Sequence, residues 1–597
     1  MNDLPNIQLA ERITPAPAST AQAVEPWARP VAFEGCFGYL HPAGGDVGIV
    51  VCAPWAYEAL CAHRALAEFA ESLAANGYPT LRFDYPGAGN SRGDLAARSV
   101  EDWVASVSSA VETLRRHSNA RRIVLAGLGF GCLVALAAAK AGLDVAGLLL
   151  LAPPQSGRRH QRETQAFAAM VATPGDGSDS VEQGAVSIAG FVLPAAFLAQ
   201  ARSLDATQFS LTPTSFAIVA AMPDRDSQPV VDALGAKGAL VEQTSFDGYA
   251  ELLASPIVVA PPRAAFARVV DALTRLCPSR GPVAAPIRQW PAASLVDGEI
   301  VEEALRFGEG GRLFGVICRP RHSREGVPAV VLIGSGRNVH TGWRRIGVDM
   351  ARSLARKGIA SLRFDLGGIG ESAERPGQPA QILYSDWPQL DVTDAIDLMA
   401  ARNFGAVTLA GICSGAYVAL QSAIADARVK GLAPVNLFRV VWNPDDSFEE
   451  ELRFGNRHMG KAVGSMFTRA RLAKVLTGEF DVRPGLRRIC SRIGHSMSVT
   501  AMRTMGAVGP RGWLYAEAMR RFEILKARNV ATTFAFSEGD AGIADLESYF
   551  GRDARELVAF PNVRVSKIYN CDHNFTPPHA GEWLVAQVED VVSRTVS

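Results

Sequence analysis

The sequence has no closely paired cysteines. Its 597 residues include nine, and no two form a CxxC pair. This excludes a zinc ribbon and gives no disulfide framework. Unpaired thiols fit a reducing compartment, so a cytoplasmic location is expected. Neither sign of charge is in excess: Lys+Arg and Asp+Glu are both 60, for a formal net charge of +0. A chain whose main partner is a nucleic acid would be basic, and that class is excluded. Long apolar runs are missing too. The most apolar stretch, Ile123 to Ala139, is interrupted by Gly127, Gly129 and Gly131 and bounded by Arg121, Arg122 and Lys140. It reads as a buried strand, a tight turn and a helix rather than a membrane span. The first twenty residues carry Asp3 and Glu11 and no apolar core, so no secretory leader is expected. Gly127-x-Gly129-x-Gly131 lacks the third spaced glycine of a dinucleotide site, and no metal-ligand cluster occurs. No cofactor and no metal are expected.

What the sequence does have is the composition of a folded protein, 48% hydrophobic and 20% charged, and an internal repeat. Gly77-Tyr-Pro-Thr-Leu-Arg-Phe-Asp84-Tyr-Pro-Gly-Ala-Gly-Asn-Ser91 parallels Gly358-Ile-Ala-Ser-Leu-Arg-Phe-Asp365-Leu-Gly-Gly-Ile-Gly-Glu-Ser372, an offset of about 281 residues. Val124-Leu-Ala-Gly-Leu-Gly-Phe-Gly131 parallels Thr408-Leu-Ala-Gly-Ile-Cys-Ser-Gly415 at nearly the same offset. So long a period points to a duplicated domain rather than a solenoid. Residues 1–30 are Pro/Ala-rich and expected to be poorly ordered. The expected organisation is then a first domain over 31–276, a Pro/Gly-rich linker over 277–297 and a second domain over 298–597. Each copy alternates apolar strands with helices, which predicts an α/β fold with a mostly parallel sheet covered on both faces. Ligands are expected beyond the carboxyl ends of the strands.

The chemistry concentrates in Gly411-Ile412-Cys413-Ser414-Gly415, between a predicted strand and a predicted helix. This is the G-x-nucleophile-x-G elbow, with Cys in the central place. A helix N-terminus behind Cys413 favours its thiolate. The Ser414 amide is expected to serve as one oxyanion donor, and Ser335 and Gly336, in the loop Gly334–His340, as a second source. A thiol needs a base and the base an orienting group. His573 follows a late strand and is assigned as base. Asp540 is assigned to orient it, with Glu538 as runner-up and Asp572 as a weaker choice. Ser414 is off-centre as an alternative nucleophile. In the first copy Gly129 takes the nucleophile's place, and the late segment Ser245–Tyr249 supplies no His. That copy reads as non-catalytic.

Both halves resemble the α/β-hydrolase superfamily. The stretches Phe37–Pro42, Tyr57–Arg64 and Arg82–Ser91, with Gly310–Gly315, Arg363–Ser372 and Gly411–Tyr417, look like bacterial serine-aminopeptidase-like (S33-like) hydrolases, including those associated with exosortase and exopolysaccharide gene clusters. The resemblance implies two tandem α/β-hydrolase domains and a link to surface polysaccharide. The superfamily's usual Ser is Cys at 413, a departure also met in dienelactone hydrolases and polyester synthases, where acyl-thioester chemistry is used.

A stretch of about 90 residues, 444–530, exceeds any loop requirement and is expected to form a helical cap over the second site. From Leu452 to Arg528 about 16 Lys/Arg stand against about 4 Asp/Glu. Arg453 and Arg457 of this segment, with Arg337 and His340, are the expected substrate-binding residues for an anionic or carrier-bound acyl group. A solvated helical face, or one docked on an acidic partner, explains the charge equally well. The expected activity is cleavage of an ester or thioester through a Cys413–His573–Asp540 triad. An acyltransferase with the same intermediate, and a non-catalytic scaffold of two degenerate folds, are the alternatives.

Overall fold

The computed structural model describes residues 27–172, 181–254, 256, 260–281, 293–323, 325–379, 381–443 and 512–596. Two sheets organise them. The first runs, edge to edge, Arg29–Phe33, Cys36–His41, Thr80–Phe83, Val47–Cys52, Arg122–Leu128, Gly147–Leu151, Phe216–Ala221 and Leu240–Ser245. The second runs Ala293–Asp297, Ile300–Phe307, Leu313–Pro320, Ala360–Phe364, Ala329–Ile333, Val407–Ile412, Val429–Val435, Ala531–Ser537 and Val563–Ile568. In both, the opening strands pair antiparallel and all later ones parallel. The halves thus share one strand order, with Ala293–Asp297 added at the edge of the second. That added strand falls inside the expected linker 277–297.

The central strands are apolar on both sides because both faces are covered. In Ala329–Ile333, Val331 and Ile333 join one core cluster while Val330 and Leu332 join the opposite one. In the first sheet Val50 and Leu125 face one way, Ile49 and Val124 the other. Helices on both faces bury these side chains. Val100–His117 shows why they start where they do: Ser99 and Asp102 form a reciprocal capping box at its first turn. Both halves have the same α/β architecture, a mostly parallel sheet covered by helices on both faces.

The helix Gly512–Ala527 buries Leu514, Ala518, Phe522 and Leu525 in the second core. The last part of the segment expected as a cap, 444–530, therefore belongs to the domain body; residues 444–511 lie outside the described residues. A fifth apolar cluster joins the halves. Ala28, Phe37 and Tyr39 pack with Ala293, Leu295, Ala304, Phe314 and Val316. No described helix is long and apolar enough to cross a membrane.

Candidate active site

The strand Val407–Ile412 lies between Ala329–Ile333 and Val429–Val435, so its carboxyl end sits at the middle of the sheet. There the chain reverses into the helix Ser414–Ala425 through Cys413, whose backbone holds φ 56° and ψ −116°. L-residues rarely adopt this conformation, and it stores strain at the site. The flanking glycines are steric requirements. A Cβ on Gly411 would fall 2.1 Å from the Gly415 carbonyl oxygen, and one on Gly415 would fall 2.4 Å from that of Gly334. The Cys413 amide donates to the Val435 carbonyl at 2.8 Å, pinning the bend to the next strand. Among the described cysteines, seven are buried and Cys413 alone is partly exposed.

His573 stands five residues beyond the last strand. Its Nδ1 is 2.6 Å from Asp540 Oδ2, and its ring lies close enough to Cys413 for the thiol's charge to act on it. Asp540 caps the helix Ala541–Phe550, its Oδ1 accepting from the Gly542 amide at 2.9 Å. One oxygen thus fixes the carboxylate and the other meets the imidazole. Burial alone would push the His573 pKa down. The Cys413 charge, with the hydrogen bond and charge of Asp540, outweighs it and holds the imidazole well above its ordinary value. The other acids are engaged elsewhere: Glu538 Oε2 accepts from the Asn570 amide at 3.0 Å, and Asp572 Oδ1 from the Thr576 amide at 2.8 Å.

Sequence reasoning missed Asn436. This buried residue has φ 46°. Its side-chain amide donates to the His573 carbonyl at 2.9 Å and to Ser537 Oγ at 3.1 Å, while its Oδ1 accepts from the Ser537 amide at 2.8 Å. It ties the acid-bearing and His-bearing loops together. Its position directly after an apolar strand was the available signal.

Several expected binding residues stand differently. The Gly336 amide donates to Ser414 Oγ at 2.8 Å, so this amide is engaged rather than turned to an oxyanion. The same bond buries the Ser414 hydroxyl. The Ser414 amide, at the first helical position, has no acceptor within its own helix. Ser335 borders an apolar cavity, open to solvent, whose walls include Trp343, Ile346, Met350, Ile412 and Asn574. His340 is not a substrate-binding residue. Its side chain is fully buried, with Nδ1 2.9 Å from Asp365 Oδ2 and Nε2 2.9 Å from Asn90 Nδ2, so both ring nitrogens are committed. Arg337 is half-buried on the same loop and has a partner of its own. Arg453 and Arg457 lie outside the described residues. No group of acids, His and Cys suited to a metal occurs among the described residues.

The first half repeats the bend with glycine in the central place. Gly129, between Arg122–Leu128 and Phe130–Lys140, holds φ 55° and ψ −123°, nearly the dihedrals of Cys413. A Cβ there would meet Tyr249 Oη at 2.9 Å and Glu58 Oε2 at 3.1 Å. Tyr249 follows the last strand of its sheet, where His573 stands in the other half, and its hydroxyl stands in the space a side chain at 129 would need.

Residues 62–175 match the family described as Serine aminopeptidase, S33, a span within this first half. Similar solved structures include the proline iminopeptidase of Mycobacterium smegmatis, at 13% identity and TM-score 0.31 over 49% of this chain and 99% of that one. The acetyl xylan esterase of Paenibacillus sp. R4 aligns at 14% identity and TM-score 0.30 over 50% and 89%. Est1E of Butyrivibrio proteoclasticus aligns at 13% and 0.29 over 49% and 99%. No curated protein matches the chain.

Proposed function

We propose that the C-terminal half is an acyl-transfer enzyme that cleaves an ester or thioester through Cys413. The reading rests on one observation above all: a partly exposed thiol on a strained elbow, beside an imidazole whose Nδ1 meets a buried carboxylate. The Cys413 sulfur attacks the carbonyl carbon, forming the C–S bond. The tetrahedral oxyanion is held by the Ser414 amide and the loop before Asn338. His573 gives its proton to the departing oxygen or sulfur as that bond breaks. Water, activated by His573, then releases the acid. A sugar or other hydroxyl in place of water makes the same intermediate an acyltransferase. The excess of Lys and Arg between 452 and 528 supports an anionic carrier, such as coenzyme A or a phosphopantetheine arm, as leaving group.

The first half is non-catalytic in this reading, because Gly129 carries no nucleophile and Tyr249 blocks the space above it. A link to surface polysaccharide rests on resemblance alone. The test is intact-mass detection of an acyl adduct after incubation with acetyl-CoA, longer acyl-CoAs and p-nitrophenyl acetate. The expected result is one adduct per chain, lost in Cys413→Ala. An adduct that survives this substitution overturns the assignment. A chain that forms none, while iodoacetamide labels all thiols at one slow rate, is a scaffold.

A further inference from the structure

We infer that the N-terminal half positions the catalytic loops of the C-terminal half, with Asn90 holding the oxyanion loop through His340. The inference rests on the proposed acyl-transfer chemistry for its functional meaning, and its structural part stands independently. Asn90 Nδ2 lies 2.9 Å from His340 Nε2, and the opposite ring nitrogen of His340 meets Asp365. The His340 amide donates to the same Asp365 carboxylate. His340 ends the loop that begins at Gly334, so three bonds fix one end of the loop while Gly336 and Ser414 fix its middle. Asn90 is itself held from the second half: its carbonyl accepts from Arg352 at 2.9 Å and its Oδ1 from Arg363 at 3.2 Å.

The chain just beyond His340 is strained and leans on the first half. Arg344 and Arg345 have φ of 51° and 63°. The Arg345 guanidinium donates to four first-half carbonyls, those of Gly87, Gly89, Ser91 and Gly93, at 2.8–3.0 Å. Strain of this kind persists only where surrounding bonds over-determine it. Next to it the Trp343 indole donates to the Ala189 carbonyl at 2.8 Å, and its ring packs on Tyr57 and Phe191. Ala189 and Gly190 form the tip of the hairpin between Val186–Ile188 and Phe191–Leu193. A Cβ on Gly190 would fall 2.6 Å from Thr576 Cβ, three residues past His573. One hairpin of the non-catalytic half therefore touches both the segment after the oxyanion loop and the segment carrying the base. Asn90 and this hairpin act through other residues and are positioning elements.

The experiment compares wild type, Asn90→Ala and Trp343→Phe in the full chain. Hydrogen exchange over residues 334–343, turnover of p-nitrophenyl acetate and iodoacetamide alkylation of Cys413 are read together. Expected in either variant are faster exchange over 334–343 and a kcat lowered about tenfold or more with KM nearly unchanged. The alkylation rate of Cys413 stays at the wild-type value, because alkylation uses the thiolate and not the oxyanion donors. Trp343→Phe keeps an aromatic ring in place and loses the indole hydrogen bond with part of the contact area, so it remains informative if Asn90→Ala does not fold. Wild-type exchange over 334–343 in the folded variants overturns the inference. So does a fall in kcat matched by an equal fall in alkylation, which marks general disruption. If the wild type forms no acyl-enzyme, the catalytic reading fails, and exchange over 334–343 alone then decides the coupling.

Discussion

Asp540 divides its two oxygens between a helix N-terminus and an imidazole, and that division gives His573 its direction. Its substitution by Asn keeps the cap acceptor and removes the charge. Two of the influences that raise the His573 pKa, the Asp540 hydrogen bond and the Asp540 charge, are then weakened. The pH at which the imidazolium is lost should move down toward its ordinary value. Alkylation of Cys413 followed against pH in wild type and Asp540→Asn reads this, and kcat should fall about 10²- to 10⁴-fold. An unshifted profile would mean that Asp540 does not orient the base. At this scale the sequence pointed to Cys413, Asp540 and His573 because the chemistry demands residue types in a given chain order, and His573 and Asp540 do meet. It misled at His340, because a polar residue on a loop beside the site looks the same whether it faces substrate or another domain. The first half of the chain decides that, through Asn90, and not the local pattern.

The elbow is a conflict between backbone and side chain, settled one way in each half. Both bends hold a positive φ with strongly negative ψ, and only Gly129 is suited to it. Cys413→Gly should therefore abolish acylation and yet leave the fold equal or more stable, by up to about 1 kcal/mol, because relief of strain outweighs the glycine's entropic cost. Chemical denaturation checks this, and a loss of more than 1 kcal/mol would show that the thiol's contacts matter more than the dihedral. Gly411→Ala should do the opposite. The new methyl group collides with the Gly415 carbonyl, and overpacking against backbone costs about 1–3 kcal/mol or more. Strands and helices of this layer were legible from apolar runs and glycine stops, since burial on both faces leaves little freedom of composition. The helix Gly512–Ala527 was not, because it follows the basic segment without a break in charge and shows its buried face only once packed.

The two halves meet through corresponding positions of their repeats, a relation no single copy reveals. Six residues past Asp84 stands Asn90, and six past Asp365 stands Glu371; each reaches the other half's arginine, Arg363 and Arg82. Glu371 is bound at 2.8 Å by both Arg82 and His63, and its side chain is 2% exposed. Burial alone would raise its pKa. The Arg82 charge and the hydrogen bonds from His63 and Arg82 outweigh that and hold the carboxyl well below its usual range. Glu302, between Arg363 and Arg352, is lowered in the same way. Such groups stabilise the fold fully above the carboxylate's unfolded pKa, near about 4.3. The contribution falls away as pH drops below that value toward the folded pKa. Acid should therefore separate or unfold the halves in a transition that Glu371→Gln moves to higher pH and makes shallower. At pH 7 the same substitution leaves Arg82 buried beside a neutral amide and should cost about 3–5 kcal/mol. Intrinsic fluorescence against pH and denaturant measures both. If Glu371→Gln matches wild type in both scans, the Glu371 charge contributes no net stability, and the halves are held by the apolar contacts of Tyr39, Phe314 and Val316 with the hydrogen bonds of Arg345.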